Sequence, residues 1–142
     1  MNRTTPPDIA WIDDQHFQLV SIIRPLVTVE GYRYVGYESL QEVHESLDTI
    51  RRARLIILDM IIPVGNSDED NREHFLGLEV LRELEHAGIC LPVIVYSVVR
   101  EQEVLAAVRE FRNVKGVFQK GGTFELAGFR DLVRQCLRGS TE

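Results

Sequence analysis

The sequence predicts an α/β domain: a doubly wound, five-stranded parallel sheet with helices on both faces. Three observations predict it. Hydrophobic periodicity switches about five times between strand-like and helix-like along the 142 residues. The run "RLIILD" (54–59) is apolar at consecutive positions, as a strand covered on both faces must be. Each apolar strand also stops on a polar or charged residue, so such residues collect at one edge of a parallel sheet.

The elements follow in order. "DIAWID" (8–13) reads as a strand that ends on acids. Residues 15–28 carry a helical pattern, kinked or shortened by Pro25, which lacks a backbone donor. "YRYVGY" (32–37) alternates enough for an edge strand. Ser39 with Glu42 makes a capping-box pattern, and Leu40, Val43, Leu47 and Ile50 then follow at amphipathic helix spacing. "RLIILD" is the third strand. Leu78, Leu81 and Leu84 mark the third helix, with Gly88 placed to stop it. "LPVIVYS" (91–97) is the fourth strand, followed by a helix with Val104, Val108 and Phe111 on its inner face. "VKGVFQK" (114–120) is the fifth strand, and Thr123 caps a last helix facing inward through Leu126, Phe129, Val133 and Leu137. Strands alternating with helices of this length call for right-handed parallel crossovers.

Length and composition point the same way. One domain spans 1–142, with its core at about 8–138 and no internal repeat. The formal net charge of −6 and the absence of a basic stripe argue against a nucleic-acid surface. No run approaches a membrane span, and the first residues carry no signal-peptide core. Cys90 and Cys136 stand far apart in apolar contexts, which reads as two reduced, buried thiols in a cytoplasmic protein.

The strand ends carry the chemistry. Strand one offers Asp13 and Asp14, strand three Asp59, strand four Ser97 and strand five Lys120. Three converging carboxylates repel unless protons or a cation compensate them. Hard oxygen ligands of this kind suit Mg²⁺. A lysine and a hydroxyl beside them complete a site for a tetrahedral dianion.

This set resembles the receiver domain of two-component response regulators, the CheY-like family. The residues that carry the resemblance are the acid pair of "AWIDDQ", Asp59 in "IILDMIIP" with Pro63 four positions later, "GLEVL" opening the third helix, Ser97 in "LPVIVYS" and Lys120 in "VFQKG". It implies the flavodoxin-like strand order 2-1-3-4-5. It also implies that Asp59 accepts a phosphoryl group from a histidine kinase or phosphotransfer protein. Asp14, Asp59 and the backbone carbonyl of Ile61 would bind Mg²⁺ (or Mn²⁺) directly, with Asp13 acting through water. Ser97 would donate to the phosphoryl oxygen, and Lys120 would pair with Asp59 and then with the phosphate. Output would pass to a downstream protein effector through the fourth helix, fifth strand and fifth helix (the α4-β5-α5 surface). A homodimer through that surface is a further implication. Only "RGSTE" follows the last helix, so no output domain is expected in this chain. The chain is not expected to be an enzyme in the usual sense.

Four departures from the family pattern stand out. Gly121 and Gly122 follow Lys120 where proline is usual, so the usual cis peptide is not expected. Val117 occupies the aromatic switch position, and Phe118 beside it faces the opposite side. Val98, β-branched where a small residue is usual, together with Ile61 narrows access to Asp59 and predicts a long-lived phosphoryl group. The polar loop 64–76 is roughly ten residues longer than such connections usually are, suiting a lid, a docking element or a tolerated insertion. An alternative reading keeps the fold as a protein-binding pseudo-receiver without the switch. A haloacid-dehalogenase-type phosphatase would need an acid where Ile61 stands. "DEDNRE" lacks the glycine and closing glutamate of a calcium loop. His16, His44, His74 and His86 share no ligand spacing.

Overall fold

The computed structural model describes residues 7–14, 31–62, 76–120 and 126–139. Strands β1 (Ile9–Ile12), β2 (Tyr34–Tyr37), β3 (Leu55–Leu58), β4 (Val93–Ser97) and β5 (Val114–Gln119) form one sheet. All its pairings are parallel, in the order β2-β1-β3-β4-β5. Helices α1 (Leu40–Glu45), α2 (Leu47–Arg51), α3 (Leu76–His86), α4 (Gln102–Arg109) and α5 (Leu126–Gly139) connect and cover it. The expected helix at 15–28 with its Pro25 kink, the Thr123 cap and nearly all of the 64–76 loop lie outside the described residues.

The central strands explain the consecutive apolar run. All four residues of β1 and all four of β3 are buried. Each such aliphatic side chain contributes roughly 1.5–3 kcal/mol of transfer free energy before ordering entropy is subtracted. Alternation sorts them onto two faces. Ala10, Ile12, Ile56, Leu58, Val93 and Val95 join a mainly aliphatic core that also holds Val43, Ile50, Val80 and Val108 from the helices. Ile9, Trp11, Leu55, Ile57, Ile94 and Tyr96 pack on the other face with Phe129, Val133 and Leu137 of α5. Val117 packs with the first core and Phe118 with the second, as alternation along β5 requires.

The ends of the elements differ from the sequence reading in three places. The helix expected through Leu40 and Ile50 breaks at Ser46 (φ −119°, ψ 20°), where the Ser46 N–H donates to the Val43 carbonyl at 3.0 Å. The cap at Ser39 forms as a half box: its hydroxyl accepts from Glu42 N at 3.1 Å, but Glu42 accepts from Glu38 N at 2.8 Å. Cys90 is exposed rather than buried, because it falls in the irregular connection between α3 and β4, while Cys136 is half-buried; both thiols are free. Gly88 ends α3 as expected, at φ 75°, a conformation that glycine adopts without strain.

No helix among the described residues is long and apolar enough to cross a membrane.

Candidate phosphoryl and metal site

The sheet ladder continues past the strand ends and fixes the backbone of Asp13, Asp59, Ser97 and Lys120. Asp13 N donates to the Tyr37 carbonyl at 2.8 Å, Asp59 N to the Ile12 carbonyl at 2.9 Å, and Lys120 N to the Ser97 carbonyl at 2.9 Å. Residues up to 107 positions apart in sequence are thereby held at one edge by hydrogen bonds of the sheet itself.

Around that frame the side chains converge. Carboxylate oxygens of Asp13, Asp14 and Asp59 lie within 4.8 Å of one another. Asp13 is wholly buried and Asp59 is 5% exposed, whereas Asp14 opens the turn after β1 and is partly exposed. The Lys120 ammonium donates to Asp13 Oδ2 at 2.8 Å and to Asp59 Oδ2 at 3.0 Å. The sequence reading expected only the second of these bonds. The other oxygen of Asp59 accepts the Ser97 hydroxyl at 2.6 Å and the Ile61 N–H at 3.1 Å. The Ser97 oxygen in turn accepts long bonds from Met60 N and Val99 N, both at 3.4 Å.

Electrostatics follow from burial and charge. Burial pulls the Lys120 ammonium down, but Asp59 and Asp13 together outweigh it and hold the group above its ordinary value. It is therefore charged throughout the neutral range. Three carboxylates and one ammonium are gathered in a largely buried cluster. Burying charge without compensation is costly. A hard divalent cation takes an oxygen shell of this kind, so the donor set fits Mg²⁺ or Mn²⁺. Lysine rather than arginine also matters here. Lys115 and Lys120 are the chain's two lysines beside an arginine majority. A compact point charge can bridge two carboxylates, where a planar fork would fix one partner.

The backbone beside Asp59 is pinned by α3. Gly77 N donates to the Met60 carbonyl at 2.9 Å. A Cβ at Gly77 would meet Met60 Cα at 2.6 Å and the Asp59 carbonyl oxygen at 2.8 Å. The glycine of "GLEVL" thus allows a close approach that no side chain permits. Val98, directly after Ser97, is 52% exposed. The junction of Lys120 with Gly121 lies outside the described residues.

One neighbour escaped the sequence reading. Tyr96 is buried at 4%, and the Lys120 ammonium sits over its ring, 5.6 Å from the centroid. In an apolar strand a tyrosine reads as packing. Only the position of Lys120 on the adjacent strand reveals the contact.

No protein-family model matches the chain, and no curated protein matches it. Solved structures do. The signal receiver domain of a putative Luxo repressor protein from Vibrio parahaemolyticus superposes with a TM-score of 0.72 at 15% identity, covering 96% of this chain and 94% of that one. A CheY-like response regulator receiver domain from Methanospirillum hungatei gives 0.72 at 14% identity, over 96% and 98%. The receiver domain of NtrX from Brucella abortus gives 0.66 at 21% identity, over 92% and 98%. The chain has the fold of response regulator receiver domains, with the flavodoxin-like strand order. At these identities the likeness concerns the fold, and function has to be argued from the site.

Proposed function

We propose that this chain is the phosphoryl-accepting receiver of a two-component or phosphorelay system. The observation that carries the reading is the cluster itself: three carboxylates, an ammonium and a hydroxyl gathered on Asp59 at the carboxyl edge of the sheet. Asp59 is the acceptor. One of its oxygens attacks the phosphorus of a phosphohistidine on a histidine kinase or phosphotransfer protein. The O–P bond forms as the P–N bond breaks, and the imidazole leaves with the electron pair. Asp13, Asp14, Asp59 and the backbone carbonyl of Ile61 are the candidate ligands of Mg²⁺ or Mn²⁺. The cation, when bound, supplies the positive charge that developing phosphoryl oxygens need.

The chain's own residues do the rest. Lys120 holds Asp59 in orientation and is placed to exchange that carboxylate for a phosphoryl oxygen. The Ser97 hydroxyl, donated to Asp59 before transfer, turns to the phosphoryl group after it. Positioning and charge neutralisation are most of what phosphoryl transfer requires. Val98 beside Ser97 slows the return attack by water, so the acyl phosphate is long-lived. We read the chain as a switch rather than a turnover enzyme, acting in the cytoplasm without binding nucleic acid or membrane. Its output goes to a protein effector through α4, β5 and α5, the surface through which it would also dimerise.

Intact mass after incubation with Mg²⁺ and acetyl phosphate tests this. One phosphoryl adduct is expected, dependent on Mg²⁺ and missing from Asp59→Asn. A wild-type chain that stays unmodified even with a phosphohistidine donor would leave the binding-module reading in its place.

A further inference from the structure

The Lys120 N–H closes the ladder onto Ser97, so its backbone is placed, but its ammonium lies at the end of the side chain and has to be positioned there. Its side chain is a flexible four-carbon stem. The Asp13 and Asp59 oxygens attract the ammonium from two directions and leave its third donor to find another neighbour.

That neighbour is aromatic. The ammonium lies 5.6 Å from the Tyr96 ring centroid, inside the ~6 Å range in which a ring face attracts a cation. The ring is itself braced. Phe129 of α5 packs against it at 5.5 Å between centroids and a 48° tilt, and Phe118 meets Phe129 edge-on at 5.4 Å. Burial removes competing water, which strengthens the attraction. Consecutive residues of β4 therefore contact the two reacting groups from opposite faces of the sheet: Ser97 holds Asp59, and Tyr96 lies against Lys120. Packing alone does not ask for this, since a leucine at 96 would fill the aromatic core without offering a π face.

We propose that Tyr96 is the positioning residue for Lys120, its braced ring helping to fix the ammonium between Asp13 and Asp59. The contact stands on geometry alone; its consequence for phosphoryl uptake rests on the function proposed above.

The two lysines make a direct test available. In protein labelled with ¹³C at lysine Cε, Lys115 and Lys120 give two signals, assigned by Lys115→Arg. Tyr96→Phe is expected to keep the ring-shifted Lys120 signal and its slow side-chain motion, and Tyr96→Leu to lose both. Replacing Tyr96 by trifluorophenylalanine keeps the ring's shape and packing while draining its π face. It should free the Lys120 side chain, and uptake from acetyl phosphate should fall about fivefold while the Phe variant stays near wild type. A fluorinated variant with wild-type Lys120 dynamics would overturn the proposal, as would a folded Leu variant whose Lys120 signal is unchanged. If wild type takes up no phosphoryl group, the proposed function fails, and the Lys120 signals of the Phe, Leu and fluorinated variants still decide this inference.

Discussion

The two edges of the sheet treat their charges in opposite ways. At the amino edge Asp8 is fully matched: one oxygen accepts Arg54 Nη1 at 3.0 Å and the other accepts Arg33 N at 2.9 Å. The second guanidinium nitrogen of Arg54 donates to the Leu137 carbonyl, tying down the last turn of α5. At the carboxyl edge three acids cluster, and Lys120 bridges two of them, Asp13 and Asp59. The same sheet thus carries one edge where a lone acid meets its partners singly and another where three acids are gathered around a lysine. Under the function proposed above, the first edge serves stability and the second takes the cation and the phosphoryl group. The clustering of buried acids with a lysine, more than any one residue, is what points to the second.

Removing the cation of each edge breaks the comparison most sharply. Lys120→Met leaves Asp13 and Asp59 buried together and is expected to cost about 3–5 kcal/mol at neutral pH. Urea unfolding measures this, and Mg²⁺ should recover part of it. Gly77→Ala comes next, because its Cβ meets the backbone of Met60 and Asp59 rather than a yielding side chain. About 1–3 kcal/mol is expected from such overpacking, together with slower phosphoryl uptake as the acceptor's backbone shifts. Arg54→Met at the amino edge removes a partly exposed pair and one carbonyl partner, for about 1 kcal/mol. Uptake should be unchanged, which separates stability from function.

The smallest effect lies away from both edges. His44 on α1 pairs with Glu83 on α3. The Glu83 hydrogen bond, and then its charge, raise the His44 pKa above the ordinary 6.5. A raised folded pKa means the contribution is complete below the unfolded value and fades as pH rises through the folded one. Glu83→Gln should therefore flatten a slight stability gain seen between neutral and mildly acid pH. The pair is solvent-exposed, so salt should weaken the gain in the same way.

Much of this was legible in the sequence, for identifiable reasons. Runs such as Leu55–Leu58 announce strands buried on both faces, and the acids and lysine that end them could be assigned to one edge from topology alone. What stayed hidden depends on distances between strands. Nothing in "VIVYS" distinguishes the packing of Tyr96 from its contact with Lys120, and no periodicity reveals that Lys120 also reaches Asp13. The break at Ser46 was missed because Val43 and Ile50 keep helical spacing across it. Cys90 was misjudged because an apolar stretch, "GICLPV", hides an irregular connection that exposes the thiol.

Thermal unfolding with and without Mg²⁺ bears most directly on the claim that the acid cluster at the carboxyl edge holds a cation. A ligand that binds only the folded state stabilises it by mass action, about 2.7 kcal/mol at a hundred times its dissociation constant. Wild type and Arg54→Met should gain the same rise in Tm with Mg²⁺, and Asp14→Asn and Asp59→Asn should lose most of it. Equal Tm values for wild type with and without saturating Mg²⁺ would contradict the account, as would a rise that survives both aspartate substitutions.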